Sequence, residues 1–152
     1  MRDRLGLARG ERVLAFARLA DGGWVVATGT ELIAEDLRLH WDRIARVEWD
    51  GESSTLLIEQ VDVPGGPLSW VLDDEPGHLP EVIRERVTDS IVVTRHVRVQ
   101  GRFGVRVIAR RAPGSDELVW QVVVDPGLDP GSGQVQAATS ATIAELAAEL
   151  RH

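Results

Sequence analysis

The chain has 152 residues, 43% of them hydrophobic and 27% charged, and a formal net charge of −7. That composition belongs to a folded globular chain, not a disordered one, and a chain of this length buries roughly two thirds of its unfolded surface without a disulfide or metal staple. Cysteine is absent, which excludes disulfides, zinc–thiolate centres and thiol nucleophiles and fits a reducing cytoplasm.

The amino terminus, "MRDRLGLARGERVLAFARLA", is basic and then apolar. Glu11, Arg12 and Arg18 interrupt it and no small-residue cleavage site follows, so it reads as a mature cytoplasmic start and not a signal peptide. No apolar run approaches the roughly 20 residues that cross a bilayer, so no membrane span is expected.

Residues 1–90 read as short strands. "RVLAFARLA" (12–20) and "WVVAT" (24–28) flank "DGG", whose glycines suit a tight hairpin. "ELIA" (31–34) and "LRLHW" (37–41) follow, the latter with Leu37, Leu39 and Trp41 on one face and Arg38 and His40 on the other. In "IARVEW" (44–49) Val47 and Trp49 point inward and Arg46 and Glu48 outward. "STLLIEQVDV" (54–63) and "LSWVLD" (68–73) are separated by "PGGP", a loop no strand crosses. Seven strands with frequent turns predict a small antiparallel barrel or sandwich. "GHLPEVIRERVTDS" then places Leu79, Val82, Ile83 and Val87 at helical spacing, with Pro80 in the first turn.

Residues 91–152 read as strand, strand, strand, helix: about 91–99, 104–111 and 117–125, two Asp-Pro-Gly turns, and a helix over about 133–150. Val135, Ala138, Thr142, Leu146 and Leu150 make its buried stripe, and the sheet is expected to pack Phe103, Val105, Val107, Trp120, Val122 and Val124 on the helices. The fold class expected is α+β: a seven-stranded barrel with a capping helix over 1–90, and a βββα subdomain over 91–152 packed on it.

Seven strands and a capping helix, with "GTELIAEDLRLHWDRIARVEW" inside them, resemble the bacterial pleckstrin-homology-like (GRAM-like) barrel. The matching positions are Leu32, Ile33, Trp41, Ile44, Val47 and Trp49. The resemblance implies a barrel that offers an edge or loop to a protein partner. Its inositol-phosphate loop is not carried over, because the loop here is "ADGG" and holds Asp21 and no cation. The whole chain also resembles actinobacterial proteins with "RHVRVQGRFGVRVIARRAPG"-type segments, which implies no function.

Charge is distributed unevenly. Residues 1–90 carry ten arginines against eighteen acids, a net of −8, and residues 91–152 seven against six, a net of +1. Within "TRHVRVQGRFGVRVIARR" (94–111) lie six arginines and a histidine and no acid. Val93, Val97 and Val99 alternate with His96 and Arg98, and Arg95 breaks the apolar parity. A three-residue hairpin loop sets either Arg98 or His96 across from Arg106. Either register gathers like charges on one face, which acids of the first half or a bound anion would relieve. The binding residues this suggests are His96, Arg98, Arg102, Arg106 and Arg110. Lysine and asparagine are missing from the chain, a pattern of GC-rich codon usage that weakens any argument for arginine over lysine.

The other motifs exclude chemistry. "LDDEPGH" (72–78) collects Asp73, Asp74, Glu75 and His78, but the spacing fits no metal loop and acids before a helix serve its cap. His40 and Trp41 of "HWD" face opposite sides of a strand. No serine sits in a nucleophile elbow, and "GSG" at 131–133 has no lysine to make a phosphate loop. The order helix, three strands, helix matches double-stranded-RNA-binding domains, but their basic second-helix start is here the uncharged "GSGQVQAAT". The sequence therefore predicts a non-catalytic cytoplasmic interaction or scaffold module with an unknown protein partner or self-association. It implies no cofactor, no metal, no small-molecule substrate and no nucleic acid. Polyanion binding through the arginine face of residues 95–111 is the runner-up, and an enzyme using a cleft between the halves is third.

Overall fold

The computed structural model describes residues 11–63, 65–73 and 76–151. The first ten residues, and with them most of the expectation of a mature start, lie outside the described residues, as do Asp74 and Glu75. The chain divides into two compact units, one running to Ser90 and taking in Arg111–Glu117, the other comprising Ile91–Arg110 and the chain from Leu118 on.

In the first unit β1 (Val13–Arg18), β2 (Trp24–Thr28), β3 (Glu31–Ala34) and β4 (Leu37–His40) form a four-stranded antiparallel meander in chain order. Its turns follow from local chemistry. Gly22 takes φ +105°, which the first hairpin requires, and Asp21 accepts the Gly23 N–H. At the next turn the Thr28 hydroxyl accepts the N–H of Glu31, while Glu11 accepts both the N–H and the hydroxyl of Thr30.

After β4 a single 3-10 turn, Trp41–Arg43, carries the chain into a separate sheet of β5 (Ile44–Asp50), β6 (Thr55–Gln60) and β7 (Leu68–Val71). The Trp41 indole N–H donates to the Thr28 carbonyl at 3.0 Å, and Trp41 is buried. The inner faces of both sheets and α1 (Leu79–Asp89) share one core, in which Val25, Leu32, Ile44, Leu56, Ile58, Leu79 and Ile83 are fully or almost fully buried. Trp49 and Trp70 pack partly buried against it, as their strand parity predicts.

The expected barrel does not form. Among the described residues all three sheets are open, and no ladder joins β4 to β5. The 3-10 turn is the reason: Trp41, read as the third inward residue of a strand, sits instead in a helical turn that ends β4. An isolated bridge, Leu19 to Leu72, lies beyond the ends of β1 and β7 and closes nothing. The pleckstrin-like resemblance predicted closure, so it falls with the barrel; the α+β class stands.

In the second unit β8 (Ile91–Gln100), β9 (Phe103–Arg111) and β10 (Leu118–Val124) form a sheet in the order β10-β9-β8. Helix α2 (Gly133–Leu150) is capped by Ser132, whose hydroxyl accepts the Val135 N–H. Val105, Val107, Val135 and Leu146 form its core, with Val97, Val99, Trp120, Val122 and Val124 packed around them. Phe103 departs from the expectation: it is 38% exposed and stands outside that core. No described helix is long and apolar enough to cross a membrane.

Candidate functional site

The β8–β9 hairpin carries four of the five residues that the sequence singled out on one accessible stretch. Its register sets His96 across from Arg106 and Val97 across from Val105, the second of the two arrangements expected. The turn is shorter than expected, two residues instead of three. A bulge between Arg98 and Gln100 absorbs Val99 and brings Gln100 opposite Phe103. Gly101 supplies the positive φ, +59°, that this tight turn needs.

Phe103 is the first residue of β9, and its ring stands at the tip, where the Arg102 guanidinium lies 5.1 Å from its centroid.

Beside the tip, Gly104 sits across from Arg98 and is buried. Its N–H donates to Asp125 Oδ2 at 2.8 Å, and the Asp125 N–H returns a bond to the Gly104 carbonyl. The same Oδ2 lies 3.0 Å from His96 Nε2. One carboxylate oxygen thus bridges the Gly104 N–H of β9 and the imidazole on β8. The Gly104 N–H, then the His96 hydrogen bond, and then the charges of His96 and Arg106, hold the Asp125 carboxyl below the usual carboxylate range.

Arg95, the cation that broke the apolar parity, is on the helix-covered face. It makes a two-pronged pair with Glu149 near the end of α2, at 3.2 and 3.3 Å, with Glu145 at 3.9 Å. Arg110 is 2% exposed, and its Nε donates to Gln121 Oε1 at 3.0 Å. It is therefore part of the folded interior and is withdrawn from the accessible set. Of Gly104, Arg106, Ile108 and Arg110, which alternate along β9, Arg106 alone is exposed.

Arg98, Arg102 and Arg106 remain. All three are exposed, and among the described residues none makes an ion pair. Among the described residues the acids set against Arg95 and His96 are Asp125, Glu145 and Glu149, all within residues 91–152. Asp125 was not foreseen, although an aspartate directly after a strand that flanks a glycine is the signal that would have found it.

Elsewhere, a shallow cleft lined by Arg46, Glu48, Leu57, Glu59 and Pro67 has its cation already paired with Glu48. Among the described residues no three histidine or carboxylate side chains are grouped to hold a metal. The arrangement at the hairpin is thus a set of cations on an open strand face, with one His–Asp pair fixed beside it. It suits reversible binding of carboxylate, sulfate or phosphate groups.

The fold class is α+β, built as two units of open antiparallel sheet with, among the described residues, one α-helix each. Set against known protein families, curated proteins and solved structures, the chain matches none.

Proposed function

We propose that this protein is a non-catalytic interaction module of the cytoplasm that holds an acidic protein partner on the β8–β9 hairpin. One observation carries the reading. On that hairpin Arg95 and His96 have acids fixed against them, while Arg98, Arg102 and Arg106 are exposed with no ion pair among the described residues. Three adjacent like charges on a folded surface repel one another, and an acidic partner removes that repulsion as it binds. Rim charges of this kind set the rate and specificity of association more than its final strength.

The test is parallel capture from cell extract by the wild-type chain and by Arg98→Glu/Arg106→Glu, with the circular dichroism of both confirming the fold. The reading expects proteins that the wild type retains at low salt and the double variant does not. Equal capture by the two sinks it.

A second reading, polyanion binding, is favoured by one observation, the exposed Phe103 ring beneath Arg102 and between unpaired cations. A ring so placed is a stacking platform for an unpaired base. Retention on heparin and binding to single-stranded RNA, each falling steeply with salt, test it, and no retention at low salt removes it.

A further inference from the structure

We propose that the acidic partner docks as an added strand on the free edge of β8. This inference rests on the reading of the hairpin as an acidic-partner surface, and adds the geometry and the sequence pattern of what binds. β8 is ten residues long, pairs with β9 on one side and, among the described residues, with no strand on the other. Such an edge is a row of backbone donors and acceptors ready to pair with an extended segment. Its residues alternate: Thr94, His96 and Arg98 are exposed, and Val93, Val97 and Val99 pack against the core beneath α2.

Charge decides the occupant. A second copy of the chain, paired antiparallel about Arg95, His96 or Val97, sets Arg95 against Arg95, His96 against His96, or His96 against Arg98, the last two being like-charge contacts wherever the imidazole is protonated. Like charges directly opposite are destabilising in a sheet. Arg95 adds to this, since a charged side chain on the covered face of an edge strand is a device that keeps like edges apart. An acidic strand removes the repulsion at Arg98 and leaves Arg95 in its pair with Glu149. On the exposed face its carboxylates lie beside Arg98 of β8, with Arg106 one strand further across, and on the other its apolar side chains continue the row of Val93, Val97 and Val99. The pattern recognised is therefore acidic and apolar residues in strict alternation.

The experiment uses the full chain and a synthetic peptide alternating glutamate and valine, followed by fluorescence anisotropy at low salt. A second peptide carries N-methyl groups on every other backbone amide, leaving its charge intact and its hydrogen-bonding edge blocked. A third replaces glutamate by lysine. The first should bind, the second about tenfold or more weakly because several backbone hydrogen bonds are lost, and the third not at all. Amide hydrogen exchange should slow within Ile91–Gln100 when the first peptide is bound. Equal binding of the first two peptides overturns the added strand while leaving an acidic-partner surface standing. Failure of both, with heparin or RNA bound instead, overturns that surface as well. A chain that is dimeric without peptide, and whose dimer excludes the peptide, assigns the edge to a second copy and overturns the inference.

Discussion

Where β9 passes His96, a Cβ at position 104 would overlap the Val97 carbonyl, so glycine alone fits there. Beside it, Asp125 bonds both the Gly104 N–H and His96. Gly104→Ala should destabilise the fold by about 2 kcal/mol through overpacking against backbone that has no rotamer to yield. A urea midpoint unchanged from wild type would contradict this. Asp125 gives a pH-dependent term of definite sign. Its folded carboxyl titrates below the ordinary range, so its contribution to stability is complete above the unfolded value and is lost as pH falls through the depressed folded value. Asp125→Asn should therefore flatten the acid limb of a thermal-midpoint profile, and limbs that superimpose would dismiss the role. These residues also mark what could be read in advance. The broken parity at Arg95 and the crowding of cations were visible in the sequence. Glu149, 54 positions beyond Arg95, and Asp125, 29 beyond His96, were not, because only the fold brings such distant carboxylates together.

Strand and helix positions were legible because alternation and helical spacing are local, and α1, α2 and β8 were expected within a residue or two of their bounds. Sheet closure was not legible, because three residues decided it. Trp41 continues the alternation of Leu37 and Leu39 when read as a string, yet with Asp42 and Arg43 it forms the 3-10 turn that separates two open sheets. The hydrogen bond from Trp41 to Thr28, in the turn after β2, fixes that route. Trp41→Phe keeps an aromatic ring in the core but leaves the buried Thr28 carbonyl without this donor, and should lower stability by about 2 kcal/mol. Loss of no more than a few tenths, measured by guanidinium denaturation, would show that the turn is held by packing alone. At the other helix the Ser132 cap satisfies the Val135 N–H. Ser132→Ala should reduce stability by about 1 kcal/mol, seen as a lower urea midpoint with an unchanged slope, and a midpoint equal to wild type would leave α2 without need of its cap.

The charge of the entire chain separates an acidic peptide from a nucleic acid as the ligand of the hairpin. Residues 1–90 hold ten arginines against eighteen acids, and the net for the chain is −7. A short acidic strand laid on β8 meets the local cations, and at physiological salt charges farther than about 8 Å are largely screened from it. A long polyanion gains only while it meets new cations, and beyond Arg98, Arg102 and Arg106 it encounters a chain with an excess of acids. With three unpaired arginines the logarithmic salt slope for single-stranded RNA should be no steeper than about −2, at roughly −0.7 per neutralised phosphate. Arg98→Ala/Arg106→Ala should bring it to less than half that. The sharper consequence concerns length. Among oligonucleotides of increasing length at fixed low salt, affinity should level off once the hairpin is covered, rising afterwards only by the number of overlapping registers. A dedicated nucleic-acid binder would keep gaining, since every added phosphate would find a further cation. Anisotropy across such a series measures this directly: a plateau at short length fits a surface shaped for one acidic strand, and a continuing rise would transfer the hairpin to the polyanion reading.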